Sequence, residues 1–347
     1  MRLAPLLVAL GWLAGLGVLG GLVWHVGLTA LLASVSAVGW WLGPWVGLES
    51  VPVLLHTAGW AACFPPRHLA GAFWPLARVR LAGSAINQVT PTATLGGEVV
   101  KVLLLEATVP RALATATVVM DKASAVLAQS VVLALGAWVL TQRLALPAAV
   151  HCGLWLTVGL LALGVGGFVV VQRYGVCSTM LSWLSTDQRG WAGLARWRQQ
   201  LLPLEAALAA AYRTHPGRFG VSVGLHGGAY AFNSLQTWLA LRLLLGAQAP
   251  SLVDAFLVTS AVAAVEQIGF FVPGGLGTAE AVRVALLVSL GVAPVTGGAL
   301  GLMARLEWGV WTGVGLLAGG WSMRPWWGGS RGQARASALT SDSPPPW

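Results

Sequence analysis

Of the 347 residues, 56% are hydrophobic and only 9% are charged, against roughly 25% charged in an ordinary soluble domain. With a mean hydropathy of +0.75 and apolar runs from end to end, the composition excludes a soluble globular domain and predicts an all-α polytopic membrane protein, because backbone in lipid must satisfy its own hydrogen bonds. The formal net charge of +9 fits the positive-inside bias of membrane proteins more simply than it fits a nucleic-acid surface.

In chain order, Leu3 to Trp24 is long enough to span and is predicted to be a retained first helix, since no small-x-small cleavage site closes it. Gly27 to Trp41 either lies at the interface or extends the next helix. Trp45 to Phe64 is the second span, stopped by Pro65 and Pro66, and the cations Arg67, Arg78 and Arg80 mark the side reached there as cytoplasmic. From Leu81 to Lys101 the chain stays apolar but is interrupted by Asn87, Pro91, Gly96 and Gly97. Irregular backbone at membrane depth is tolerated only under cover of protein or a wet cavity, so residues 81–101 are predicted to form a re-entrant hairpin.

Ala112 to Leu140 and Ala148 to Val171 are two further spans. The Arg-rich stretch 173–218 follows, with apolar residues at helical spacing from Leu194 to Ala211 and a kink at Pro203. It reads either as an amphipathic connector on the cytoplasmic surface or as an ordinary link between halves. Phe219 to Leu245 is a span, and Ser251 to Asp254 reads as a capping box that opens the next helix. Pro273, Gly274, Gly275 and Gly277 break that helix, making 251–290 a second re-entrant hairpin, and Pro294 to Trp321 is the last span. The chain thus divides into a first membrane half (1–172), a connector (173–218), a second half (219–321) and a polar tail (322–347) predicted to be disordered. About six full spans plus two hairpins put both termini in the cytoplasm and the halves in an inverted repeat.

Pro91 to Lys101 and Pro273 to Arg283 carry the same pattern: a proline, an acid seven residues on, and a cation three beyond that. An offset of 182 carries Pro91 to Pro273, Glu98 to Glu280 and Lys101 to Arg283. An ionisable side chain costs at least ~2.5–3.5 kcal/mol to insert in a bilayer, so a costly pattern present twice suggests one arm of a shared site from each half. Glu98 with Lys101, and Glu280 with Arg283, share a helix face and lie within pairing reach. Two readings compete. In one, the acids complement the helix N-termini and the cations neutralise them. In the other, Lys101, Arg283 and Arg305 hold a lipid phosphate while Glu98, Asp121, Glu280 and Glu307 balance charge or take up a proton. Asn87, Gln88, Glu266 and Gln267 could line the same cavity, although an interhelical hydrogen bond explains each of them singly. Glu49 is read as an interface residue of no special role.

Cys63, Cys152 and Cys177 are too scattered for a zinc pattern or a disulfide framework, and no two of the six histidines fall at a helical metal-ligand spacing. No metal and no cofactor is expected, and no nucleophile elbow, P-loop or nucleotide fingerprint suggests an enzyme.

The stretches Ala85 to Lys101, Val119 to Lys122 and Val272 to Glu280 resemble the flippase-like membrane domain of lysylphosphatidylglycerol synthases. The likeness runs from the first span to about Trp321 and resembles the members found among hopanoid-lipid genes. It implies a multi-pass protein of the bacterial inner membrane that moves lipids or lipid-linked molecules, anionic ones among them, between leaflets. Synthase members add a soluble aminoacyl-transferase domain, so this chain is not expected to make lysylphosphatidylglycerol by itself. Two alternatives stand beside translocation: a non-transporting partner of a lipid or hopanoid biosynthesis enzyme, and an ion-coupled carrier of a small solute.

Overall fold

A computed structural model describes residues 13, 16–21, 23–66, 73–90, 95–106, 108–144, 147–174, 202, 205–212, 216–268 and 275–322. Its described residues are helical, with no strand among them. In chain order the labelled helices are α1 (Leu28–Val38), α2 (Leu42–Gly47), α3 (Ser50–Ala62), α4 (Phe73–Val89), α5 (Leu95–Leu105), α6 (Arg111–Arg143), α7 (Ala148–Tyr174), α8 (Pro216–Leu245), α9 (Leu252–Ile268), α10 (Thr278–Ser289) and α11 (Pro294–Ser322).

Gly27 to Trp41, left open by the sequence, extends the second span. Gly27 and Gly39 take positive φ, and the chain runs through α1, a short 3-10 turn, α2 and α3 as one apolar path, Leu28–Ala62. Together with Arg111–Arg143 and Ala148–Val171, this makes three helices among the described residues that are long and apolar enough to cross a membrane. Three is fewer than the six full spans expected. Helices α8 and α11 have the length, 30 and 29 residues, but carry His226, Asn233 and Gln236, or Arg305 and Glu307, along with many glycines. Those side chains lower the helices' hydropathy because they serve the protein interior rather than the lipid. At 33 residues α6 is about 50 Å long, more than the roughly 30 Å of hydrocarbon it would cross. Helix α7 packs along α6, and its Leu156, Leu160 and Leu163 point outward, as on a helix sheathed by lipid.

Helices pack in pairs where the sequence places hairpins, α4 with α5 and α9 with α10, with longer arms than the sequence suggested for the first. The breaking residues Pro91, Pro273 and Gly274 lie outside the described residues, as do most of the connector and the whole of 323–347. In the first hairpin the glycine pair has a steric reason. A Cβ on Gly97 would overlap the Gly83 carbonyl oxygen and lie 2.6 Å from Asn87 Cγ, so the two arms meet backbone to backbone. In the second, the capping box closes as its sequence predicts. Ser251 N donates to Asp254 Oδ2 (3.1 Å), and Asp254 N donates to Ser251 Oγ (3.2 Å).

Displaced by 182 residues, α4, α5 and α6 fall on 255–271, 277–287 and 293–325, close to the observed α9, α10 and α11. The packing is reciprocal as well. Helix α4 crosses α11, where Gly315 lies against Leu81 and Ala85, and α9 crosses α6, where Gly136 lies against Ser260. Each hairpin therefore leans on the long helix of the other half, while α3 and α8 pack along each other at the centre. One apolar core gathers Trp60, Phe64, Leu76, Leu105 and Met120. The short helical segment at 205–212 seals it with Leu208 and Tyr212, so this end of the connector packs onto protein. The other core gathers Val35, Trp45, Leu241, Leu287 and Met303.

Candidate functional site

The first half holds its charges in a packed cluster. Asn87 Oδ1 accepts the Gly97 backbone N–H at 2.6 Å, which caps the start of α5 and occupies one of the donors that an anion would otherwise use. One turn on, Lys101 Nζ pairs with Glu98 Oε2 at 2.9 Å, and Lys122 of α6 approaches Glu98 Oε1 at 3.9 Å. Lys101 is buried and lies 5.5 Å from the centre of the Trp60 ring. Asp121, also buried, receives Arg80 Nη1 on both carboxylate oxygens at 3.1 Å and His226 Nε2 on Oδ1 at 3.1 Å. Every charge here has a partner from another helix or from one turn away, as a low-dielectric interior requires.

The second half is open. A cavity of about 240 Å³ lies between α6, α8, α9, α10 and α11, with Trp45 and Glu49 closing one wall. Its ionisable lining is Glu49, Glu266, Arg283 and Glu307, and its amides are Gln129, Asn233 and Gln236. Gln236 Nε2 donates to Glu307 and reaches the Trp45 carbonyl at 3.3 Å, which ties the α8 wall to α11 and to the α2 strap. Asn233 Oδ1 has no hydrogen-bond partner among the described residues.

Glu280 does not pair with Arg283, the cation one turn away. It is gripped by Arg305 of α11, whose Nη2 also donates to the Gly275 carbonyl at 2.9 Å and to Glu280 Oε2 at 3.1 Å. Gly301 leaves the notch for Glu280, because a Cβ there would lie 2.9 Å from Glu280 Cγ. Arg283 is thereby released toward the cavity, where Glu266, Glu280 and Glu307 act on it electrostatically. No hydrogen bond or ion pair to Arg283 is formed among the described residues.

Across these residues, the family model for the transmembrane region of lysylphosphatidylglycerol synthases matches 6–307. The chain belongs to that family. No curated protein and no solved structure gave a match. Membership, together with the apolar helices, makes the chain a multi-pass membrane protein related to lipid handling.

Within this member of the lysylphosphatidylglycerol synthase membrane family, the residues singled out by sequence separate into two groups. Glu98, Lys101 and Asp121 lie in the packed cluster; Glu266, Arg283 and Glu307 line the cavity, with Glu280 and Arg305 locked together beside it. The partners of Asp121, Lys122, Arg305 and Glu307 do come from other helices. Gln88 accepts from Thr312 of α11, and Gln267 donates to Gln129 of α6 at 3.0 Å, so both amides serve as interhelical bonds. Cys63 is buried against Gly59 and Ser222, the inert packing expected of it.

One expectation fails. Glu49, read as an incidental interface residue, is a cavity wall, beside Trp45. Two histidines far apart in sequence also come together: His56 Nδ1 and His226 Nδ1 meet at 2.6 Å. No local spacing could reveal a pair separated by 170 residues; the available signal was two histidines inside otherwise apolar helices. Among the described residues no group of three or more His, Cys, Asp or Glu side chains is arranged to hold a metal.

Proposed function

We propose that the chain moves a phosphate-bearing lipid from one leaflet to the other, holding its head group in the cavity with Arg283 on the phosphate. The observation that carries this reading is a guanidinium turned into a cavity between helices and left without a hydrogen-bonding partner among the described residues. A planar fork of donors matches two phosphate oxygens at once. Glu49, Glu266 and Glu307 surround it with acceptors, and Asn233 adds an unused one, which favours a head group that carries an amine beside its phosphate. At about 240 Å³ the cavity is below the ~300–1,000 Å³ usual for drug-sized ligands, enough for a head group with its acyl chains left in the bilayer. Lys101, shut in by Glu98 and Trp60, serves as structure and not as the phosphate contact.

The element order at an offset of 182, the reciprocal crossing of the hairpins, and a packed first half opposite an open second half support an inverted repeat caught with one side closed. In this reading the membrane is the bacterial inner membrane, both termini face the cytoplasm, and the chain is a carrier without covalent chemistry. Reconstitution in vesicles with labelled lipids, read as leaflet exchange, tests it. Exchange above empty vesicles, lost in Arg283→Gln and kept in a folded Lys101→Met protein, is the expected result. Exchange equal to empty vesicles across phosphate-bearing lipids with and without an amine would overturn it.

A further inference from the structure

Asp121, His226 and His56 form a connected string inside the membrane domain that neither the packing nor the cavity accounts for. His226 is completely buried, and its ring sits in a notch of α3: a Cβ on Gly59 would lie 3.0 Å from Nε2 and 3.1 Å from Cε1. The ring is closely held, and each nitrogen has its own neighbour. Nε2 faces Asp121 Oδ1 at 3.1 Å, and Nδ1 faces His56 Nδ1 at 2.6 Å. An ionised carboxylate only accepts, so His226 carries its proton on Nε2 and offers a lone pair at Nδ1. His56 must then be protonated at Nδ1 and donate across the 2.6 Å contact, which leaves its Nε2 as the one unprotonated nitrogen without a fixed role.

Beyond His56 stands Tyr230. The two rings meet edge-on at 5.3 Å, and Tyr230 is a cavity wall whose hydroxyl reaches Gln129 Oε1 at 3.4 Å. Two histidines facing each other nitrogen to nitrogen, with a carboxylate at the buried end and the half-buried His56 at the other, have the layout of a proton relay. For packing alone, apolar residues of the same volume would be cheaper to bury.

We propose that Asp121, His226 and His56 are an intramembrane proton site that fills at its half-buried end, His56. A proton leaving a hydronium binds His56 Nε2 and releases water. The resulting imidazolium passes its Nδ1 proton to His226 Nδ1, and the positive charge comes to rest beside the Asp121 carboxylate. The groups that bear on this charge are Arg80 from α4, Glu98 and Lys101 from α5, Asp121 and Lys122 from α6, Tyr230 from α8, and the Cys63 thiol at the end of α3. Glu266 of α9, Arg283 of α10 and Glu307 of α11 face the same helix α8 across the cavity. Arg80 already satisfies Asp121, so the added proton is held weakly and can be given up again. The coupling of this site to lipid movement rests on the translocation reading above; the proton site itself does not.

The test has two arms, both on the full chain. Nitrogen-15 histidine spectra of the chain in lipid nanodiscs, followed from about pH 5 to 8, read the site directly. The expected result is a pair of imidazoles that titrate together, with the shared transition lost in both His56→Gln and His226→Gln. If His226→Gln does not fold, His56→Gln decides, since that ring is half-buried and its loss leaves the Arg80–Asp121–His226 contacts in place. Independent titration of the two rings, or none over this range, overturns the proton site. In vesicles with an imposed pH gradient, loss in His56→Gln of the gradient-driven part of lipid exchange supports coupling. A gradient response equal to that of the unaltered chain overturns it. Absence of exchange in the unaltered chain would count against translocation while the spectra still decide the proton site.

Discussion

The two hairpins share a plan and spend it differently. Glu98 and Glu280 stand at matching positions on the helix after each break, and each meets a cation of the long helix that follows, Lys122 in one case and Arg305 in the other. The first hairpin also keeps its own cation: Lys101 closes on Glu98 and the space around it is filled. In the second, Arg305 takes Glu280 entirely, and the counterpart cation Arg283 turns to an open cavity. Beneath this difference lies a simple substitution. Arg80 and Asp121 of the first half correspond, 182 residues on, to Val262 and Met303, so the second half has no ion pair to fill that space. One ion pair, present in one half and absent from the other, separates a closed cluster from an open cavity.

The sharpest way to break this comparison is to remove the ion pair from the closed side. Asp121→Ala leaves Arg80 buried without its carboxylate, and we expect about 3–5 kcal/mol of lost stability, read as a lower unfolding temperature in detergent. A shift under about 1 kcal/mol, the range of exposed pairs, would mean that the cluster is wet and open. The next effect tests the close contact between the arms. Gly97→Ala gives the first hairpin the residue that Ala279 supplies in the second, but here the new methyl meets the Gly83 carbonyl, so a loss of about 1–3 kcal/mol is expected. The reciprocal change, Ala279→Gly, should cost about 0.5–1 kcal/mol from helix propensity alone, and equal losses in the two variants would erase the distinction between the arms.

Smaller again is the cap of the second hairpin. Asp254→Ala removes the two bonds that Ser251 N and Ser251 Oγ make to Asp254 Oδ2, leaves the bond from the residue-254 backbone N–H to Ser251 Oγ, and removes the 3.8 Å approach of Arg143, for an expected ~0.5–2 kcal/mol. Hydrogen exchange should quicken in the first turn of α9 and leave α5 unchanged. The slightest effect belongs to the amide bridges. Gln267→Leu, which leaves Gln129 Oε1 on the cavity wall with the Tyr230 hydroxyl, should cost about 0.5–1.5 kcal/mol and be matched by Thr312→Val on the opposite crossing.

Much of the frame was legible because its causes are local. Pro91, between α4 and α5, and the proline–glycine run before Glu280 announce broken helices, whereas Gly96 and Gly97, read as breaks, lie within the first turn of α5; the three-residue spacing of Glu98 and Lys101 gives their pair, and Ser251 to Asp254 closes its box as written. The site was only half legible, for a geometric reason. Helical spacing tells which residues share a face but not which helix arrives opposite, so Glu280 was paired with Arg283 on its own helix and not with Arg305. Glu49 enters the cavity through a turn that no periodicity marks, and His56 meets His226 across 170 residues. Helices α8 and α11 have the length of spans but carry polar side chains that line and brace the interior, and a hydropathy reading cannot tell which environment a polar residue will find.

The crossing of α4 over α11 has a consequence for how the protein is made. Gly315 brings the two backbones so close that a Cβ there would overlap the Leu81 carbonyl, and Gly319 repeats the fit against Ala82 one turn on. The first hairpin therefore lacks its principal neighbour until the last helix has left the ribosome, more than 200 residues later. Chains grow from the N-terminus and earlier units ordinarily fold first, but here the first unit has to wait. Until α11 is made, the face of α4 that meets it has no protein neighbour there, and a chain stopped after α10 would leave that face uncovered.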